Sequence, residues 1–302
     1  MRLFLVFFLF GCSFSQHVLT HPLTYLYQLQ DTNFHYLAAL SPQISVIDPQ
    51  ESGLTKEHIL QLKNRHTLSK IYAYISIGEA EDYRPYWQKN HWSDNRPSFI
   101  LSENSDWKGN YTVEYWNKQW QHIILSEVQK LAHLGYDGVY LDIVDGFARP
   151  EIISAFGNAS GARQAMEDFV ITISDTGKAI RSDFAIIPQN AVELLQRNGA
   201  ANMRYINAID GIGKESTFYS DNDIARWSEG DVALLDYAIK HKKFVLTTDY
   251  PTTEDRQADF INKALQQGYI PFSGYRPLNN AGAAINRTIP ARLHEQFVQM
   301  PQ

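Results

Sequence analysis

The feature that most constrains this chain is a rhythm: short apolar runs recur along it, and longer amphipathic stretches separate them. Parallel strands buried on both faces read as such runs, and helical crossovers between them read as amphipathic stretches. The runs predict strands at Tyr25 to Leu29, Ile44 to Ile47, Ile71 to Ile77, Gly138 to Leu141, Phe184 to Ile187, Ile206 to Ile209, Phe244 to Thr247 and Ile270 to Phe272. Helices are predicted at Lys56 to Lys63, Glu114 to Leu134, Arg163 to Arg181, Ala225 to Lys240 and Asp255 to Gln267. In the second of these Trp116, Trp120, Ile123, Ile124, Val128 and Leu131 recur at helical spacing. Eight strands is the number of an α/β barrel, which takes about 250 residues. The 302-residue chain therefore reads as a single-domain (β/α)8 TIM barrel over residues 22–302, with no Pro-, Gly- or Ser-rich linker to divide it.

The N-terminus has its own pattern. Arg2 precedes the apolar run Leu3 to Phe10, then come Gly11, Cys12 and Ser13. This is the plan of an export signal over residues 1–15, and the run is too short to span a bilayer. Leu9-Phe10-Gly11-Cys12 resembles a bacterial lipobox, so cleavage is expected before Cys12, leaving a lipid anchor there, or near Ser15. The expected location is extracytoplasmic, secreted or tethered to a bacterial envelope. Any membrane contact is expected through that anchor alone, and the rest should be a monomer.

Composition bounds the ligand. With 44% hydrophobic and 20% charged residues the chain can bury a sizeable core, and its net charge of −6 argues against a nucleic-acid partner. Its 17 tyrosines and 6 tryptophans exceed what core filling needs and suit a cleft that stacks on sugar rings. The long connection from Glu79 to Thr112, rich in Tyr and Trp, is read either as a substrate-binding wall or as a loop packed onto the barrel rim.

Polar residues at strand ends must face the barrel mouth, where the active sites of such folds lie. Here they are Gln30, Asp48, Glu79, Glu81, Asp142, Asp145, Gln189, Asn190, Lys214, Glu215 and Asp249. A ring of carboxylates meets the needs of glycoside hydrolysis, in which one group protonates the leaving oxygen and another attacks or activates water. Neither His-x-His nor His-Glu-x-x-His occurs, Gly-x-Ser-x-Gly is absent, and Gly211-Ile212-Gly213-Lys214 is an incomplete phosphate loop. No metal or cofactor is expected.

The most specific stretch is Leu134-Gly135-Tyr136-Asp137-Gly138-Val139-Tyr140-Leu141-Asp142, a helix end, a turn, a buried strand and a terminal carboxylate. Here the chain resembles glycoside hydrolase family 114, the endo-α-1,4-polygalactosaminidase-like barrels. The resemblance extends to Tyr27-Gln28-Leu29-Gln30, Val46-Ile47-Asp48, Ala73 to Arg84, Ile187-Pro188-Gln189-Asn190 and Asp210 to Glu215. It implies an endo-acting glycosidase on an α-linked amino-sugar polysaccharide, with Asp142 as catalytic aspartate and Glu215 as acid/base. Gln30, Asp48, Glu79, Glu81, Tyr140, Asp145, Gln189, Asn190 and Asp249 become candidate substrate contacts. Gly213-Lys214-Glu215-Ser216-Thr217 and Gln189 differ from the fungal members and resemble a prokaryotic branch. A surface lipoprotein that binds glycans without cutting them is the alternative on the same barrel. Asp137 is read as a turn residue.

Overall fold

The computed structural model describes residues 25–65, 69–220 and 229–282. The expected export segment and Cys12 lie outside them, as do the first four residues of the helix predicted from Ala225. Eight parallel strands form a barrel: β1 (Tyr25–Gln28), β2 (Ile44–Ile47), β3 (Lys70–Ser76), β4 (Gly138–Asp142), β5 (Ala185–Pro188), β6 (Gly211–Glu215), β7 (Phe244–Asp249) and β8 (Ile270–Ser273). Strands β1 to β5 pair in chain order as one ladder, and β6 to β8 as another. Between β5 and β6 the ladders join through the Gln189–Gly213 bridge, with Asp210 N donating to Ile186 O at 2.9 Å and Asn190 N to Gly213 O at 2.7 Å. Across the seam from β8 to β1, Phe272 meets Tyr25 edge-on at 5.8 Å, and Leu29 N donates to Leu278 O at 2.9 Å.

The helices between strands are α1 (Phe34–Leu40), α2 (Lys56–Lys63), α3 (Lys118–Leu134), α4 (Ala159–Ile180), α5 (Met203–Ala208), α6 (Glu229–Lys240) and α7 (Glu254–Gln267). Helix α3 begins four residues later than its apolar pattern predicts, because the Asn117 side chain accepts from Gln119 N and caps it there. Tyr115 and Trp116 pack as loop residues instead, Tyr115 donating to Ala162 O at 2.7 Å and Trp116 meeting Phe156 edge-on. At the far end Gly135, at φ 102°, closes the helix in a conformation other residues avoid. Asp137 then sits at the bottom of the barrel, where it accepts from Ile71 N at 2.9 Å and pairs with Lys63 at 2.6 Å.

One strand was misplaced by the apolar pattern. Ile206 to Ile209 is not strand: residues 203–208 form α5, capped by Asn202, with Tyr205 and Ile206 buried. The sixth strand is Gly211–Glu215, whose glycines hide it from a hydrophobicity reading. Both are glycine because aromatic rings occupy their side-chain space. A Cβ on Gly211 would stand 2.4 Å from the Phe244 ring, and one on Gly213 would stand 2.1 Å from the Tyr140 hydroxyl.

The same packing corrects the expectation that surplus tyrosines line the cleft. Tyr25, Tyr27, Tyr72 and Tyr140 are buried with Phe244 and Phe272 in the strand layer, so most of these rings serve as core. The long connection after β3 forms a cap. Its antiparallel sheet has Asn110–Val113 between Glu79–Glu81 and Ile100–Glu103. Trp87, Trp92, Phe99 and Tyr111 make this cap's own small core, Trp87 stacking on Tyr111 at 5.0 Å. Only its Tyr83 and Trp107, 57% and 47% exposed, remain large open surfaces. The packed reading thus holds for most of these rings, while Tyr83 and Trp107 line the cleft.

Candidate active site

The C-terminal ends of the strands and the cap enclose a cleft of about 740 Å³. Its lining includes Gln30, Asp48, Glu79, Glu81, Asp142, Asp145, Gln189, Asn190 and Glu215, with Tyr27, Tyr74, Tyr83, Trp107, Arg84, Arg149 and Arg276. Residues that are far apart in sequence meet because each lies at a strand end on the same face of the barrel.

Asp142 ends β4. Its Oδ2 accepts from the Tyr74 hydroxyl at 2.5 Å and its Oδ1 from Ile143 N at 2.7 Å. No cation pairs with it among the described residues. Burial, and after it the charge of Glu215, push its carboxyl up to about 7, while the Tyr74 and Ile143 donors act the other way. Near neutrality Asp142 is therefore about half protonated, where an exposed aspartate is fully ionised. The charge of Glu215 is thus part of what keeps the proton on Asp142.

Glu215 ends β6. Gln189 Nε2 and the Tyr250 hydroxyl donate short hydrogen bonds to its two oxygens, and Arg276 approaches Oε1 at 3.4 Å. Asn190 Oδ1 accepts from its backbone N–H at 3.2 Å, and Tyr27 donates to Gln189 Oε1 at 3.2 Å. Strands β4, β5 and β6 all give way to left-handed backbone just past these side chains. Ile143 stands at φ 57°, Asn190 at 57°, Ala191 at 46° and Ser216 at 53°. For a β-branched residue such as Ile143 this is strain, of the kind that concentrates at functional sites.

The carboxylates after β2 and β3 are arranged differently. Arg84 pairs with Asp48 at 2.7 Å and with Glu81 at 2.7 Å, and Tyr83 donates a short hydrogen bond to Glu81. Asp48 also caps the turn of helix that follows it, accepting from Gln50 N at 2.8 Å and Glu51 N at 3.2 Å, so it is both turn former and cleft residue. Glu79 takes Arg149 at 2.5 Å and Asn104 Nδ2 at 2.8 Å.

Two candidates stand outside the cleft. Tyr140 is fully buried one step below Asp142. Asp249 is fully buried too and accepts from the backbone N–H groups of Thr217, Phe218 and Tyr219 at 2.7 to 2.8 Å, which anchors the loop after β6. Strand-end position alone could not separate these from cleft residues: Tyr140 shares the face of Asp142 but lies one layer deeper, and Asp249 is turned to the backbone of the following loop. Conversely, the sequence reading passed over Tyr74, Tyr250, Arg84, Arg149 and Arg276 as site residues. Tyr74 could have been found by period, since it lies on the inward face of β3 two residues before Ser76, the register partner of Asp142. Arg276 lies beyond the last strand, where no pattern marked it. Among the described residues no group of His, Cys, Asp and Glu side chains has a metal-binding arrangement.

Comparison with known proteins gives the family and the fold. A family model described as glycoside-hydrolase family GH114 matches residues 14–288. An uncharacterised protein of Methanocaldococcus jannaschii is 36% identical over 262 residues, 82% of this chain and 73% of that protein. One of Deinococcus radiodurans is 32% identical over 240 residues, 78% of this chain and 74% of its own. Among solved structures, Aspergillus fumigatus Ega3 in complex with galactosamine superposes with a TM-score of 0.66 at 16% identity, covering 88% of this chain and 96% of that one. The glycoside hydrolase domain of PelA from Pseudomonas aeruginosa gives 0.65 at 17% identity, with 87% and 98% covered. At these identities the superpositions establish a shared barrel fold.

Proposed function

The chain belongs to glycoside-hydrolase family GH114, and from that premise we propose that it is an exported, endo-acting hydrolase of an α-linked, amino-sugar-containing polysaccharide, with Asp142 and Glu215 as its carboxylate pair. The observation that carries this reading is the pair itself: two strand-end carboxyls line one cleft, and burial together with the charge of Glu215 pushes Asp142 up to about 7. Glycoside hydrolysis needs one proton to give and one negative charge to face the sugar.

In the free protein that proton rests on Asp142. As positive charge develops on the sugar ring, ionised Asp142 becomes the favoured form, because an opposite charge at close range lowers a carboxyl pKa. The proton is then carried by Glu215 to the leaving oxygen, while half-buried Asp142 attacks or stabilises the oxocarbenium-like centre. Gln189 and Tyr250 hold the Glu215 carboxyl in orientation throughout.

The substrate class draws on the cleft's charge. Its lining carboxylates, Glu51 included, outnumber the cations Arg84, Lys108, Arg149 and Arg276, which suits a polymer bearing amino groups. The galactosamine bound to the Aspergillus protein supports the same class. Trp107 and Tyr83 supply rings for sugar faces. Export, with Cys12 lipidated or cleaved away, brings such an enzyme to extracellular polymer, its contact with a membrane limited to that anchor.

Glycan binding without turnover is the competing reading, and the contact of Arg276 with Glu215 favours it, since a cation there opposes protonation of the acid/base. Incubation of the folded protein with α-1,4-linked galactosamine polymer decides between them. Hydrolysis releases new reducing ends as internal fragments. Saturable binding with no new ends selects the binder.

A further inference from the structure

Beneath the carboxylate pair lies a contact that neither the fold nor the acid/base chemistry has yet explained. Side chains two residues apart on a strand share a face, so Tyr140 lies directly below Asp142 on β4, and Gly213 directly below Glu215 on β6. These two lower positions touch. A Cβ on Gly213 would be 2.1 Å from Tyr140 Oη, 2.3 Å from Cζ and 2.5 Å from Cε2. The phenol end therefore fills the space that any larger residue at 213 would need. Tyr27 closes over the ring at 5.2 Å and tethers Gln189, which holds Glu215.

We propose that Tyr140 is a positioning residue, a crossbar running from β4 to β6 under both carboxylates that sets the distance between them. This rests on the reading of Asp142 and Glu215 as the working pair. That distance matters because carboxyl separations of about 5 Å and of about 6.5 to 9.5 Å support different stereochemical routes. The ring works through its bulk. Among the described residues its buried hydroxyl has no hydrogen-bond partner, so the oxygen contributes little to holding the ring in place.

The other titratable and charged groups around the pair include Tyr25 and Tyr27 from β1, Tyr74 from β3, Asp145 and Arg149 after β4, Lys214 on β6, Tyr250 after β7 and Arg276 after β8. None is altered in the variants that follow. Gly213→Ala adds one methyl group against the phenol, Tyr140→Phe keeps the crossbar without its oxygen, and Gly213→Ala with Tyr140→Leu replaces ring bulk on one strand by a methyl on the other.

The test has two arms on the full-length protein. Carbon-13 titration of labelled aspartate and glutamate carboxyls in the free protein reads the coupling of Asp142 to Glu215 with no substrate present. Turnover of galactosamine polymer reads kcat and KM separately. Gly213→Ala is expected to move the Asp142 midpoint by about half a pH unit or more and to cut kcat at least about 10-fold with KM changed less than about threefold, since geometry at the reacting centre weighs on the transition state. Tyr140→Phe is expected to leave both within about twofold, and the double variant to regain most of the loss. If Gly213→Ala does not fold, Tyr140→Leu carries the test, with a lowered Asp142 midpoint expected as the pair relaxes. Folded variants whose melting temperatures fall while the titration stays unchanged would reduce Tyr140 to core filling and overturn the proposal. If no polymer is cut by the wild-type protein, the hydrolase reading fails, and the titration arm still decides whether Tyr140 governs the pair.

Discussion

The carboxylates on the two sides of the cleft are alike in type and strand-end position, yet their surroundings differ. After β2 and β3, Asp48, Glu79 and Glu81 are each paired with a guanidinium of Arg84 or Arg149. After β4, Asp142 has a tyrosine hydroxyl, one backbone N–H and a second carboxylate for company. Burial alone therefore does not make a reactive acid. A carboxylate tied to a guanidinium becomes wall, while Asp142, facing another carboxylate, holds its proton into the neutral range.

The largest effect should come from removing the charge of Asp142. Asp142→Asn is expected to lower kcat on galactosamine polymer by about 10³-fold or more with KM nearly unchanged, because the lost interaction belongs to the transition state. Retention of more than about a tenth of wild-type kcat would break the comparison, since acid/base or nucleophilic roles usually contribute at least about 10²-fold.

On the other side the expected loss is in the fold. Arg84→Met strands Asp48 and Glu81 as buried charges, and about 3 to 5 kcal/mol of stability should disappear in denaturant unfolding. A loss below about 1 kcal/mol would mean that Arg84 is as solvated as a surface pair and that the two sides differ less than their geometry indicates.

Stability against pH sharpens the contrast. Asp142 titrates at about 7 in the folded protein and near 4 when unfolded, so its contribution is intact below about pH 4 and is lost as pH rises through 7. Asp142→Asn does not titrate. Its melting temperature should match the wild type at pH 4 and exceed it by a few degrees at pH 8. Asp249, pushed up to about 6 by burial against its three backbone donors, has the same sign and contributes to the wild-type decline in both proteins. A constant difference across this range would place the Asp142 effect in packing.

The smallest effect belongs to the rim. Trp107→Ala should raise KM about 3- to 10-fold and spare kcat, as expected for stacking that is equal in ground and transition states. A drop in kcat alone would instead tie Trp107 to Arg276, whose guanidinium lies 5.4 Å from its ring and also reaches Glu215.

Much of this was legible in the sequence. Seven of the eight strands announced themselves as apolar runs, because a strand buried on both faces leaves no other signature. The sixth did not, since Gly211 and Gly213 surrender their side-chain space to Phe244 and Tyr140, and the apolar signal shifted to helix α5. The strand-end carboxylates were found by position. The resemblance to family 114 singled out Asp142 and Glu215 among them, but the ion pairs that turn Asp48, Glu79 and Glu81 into wall were not legible, because Arg84 and Arg149 come from loops whose geometry no period encodes. Tyr140 and Asp249 stand outside the cleft for the complementary reason: position at a strand end is visible in sequence, while the depth of a side chain in the barrel and its partner in the next loop are not.

The most direct test of the carboxylate pair as the catalytic centre is kcat/KM for polymer hydrolysis measured from pH 4 to 9. This quantity reports ionisations of the free enzyme, so it should fall as pH rises through about 7, where Asp142 gives up its proton. A profile that stays flat across neutrality, or rises through it, would contradict the account, since the proton on the pair would then play no part in breaking the glycosidic bond.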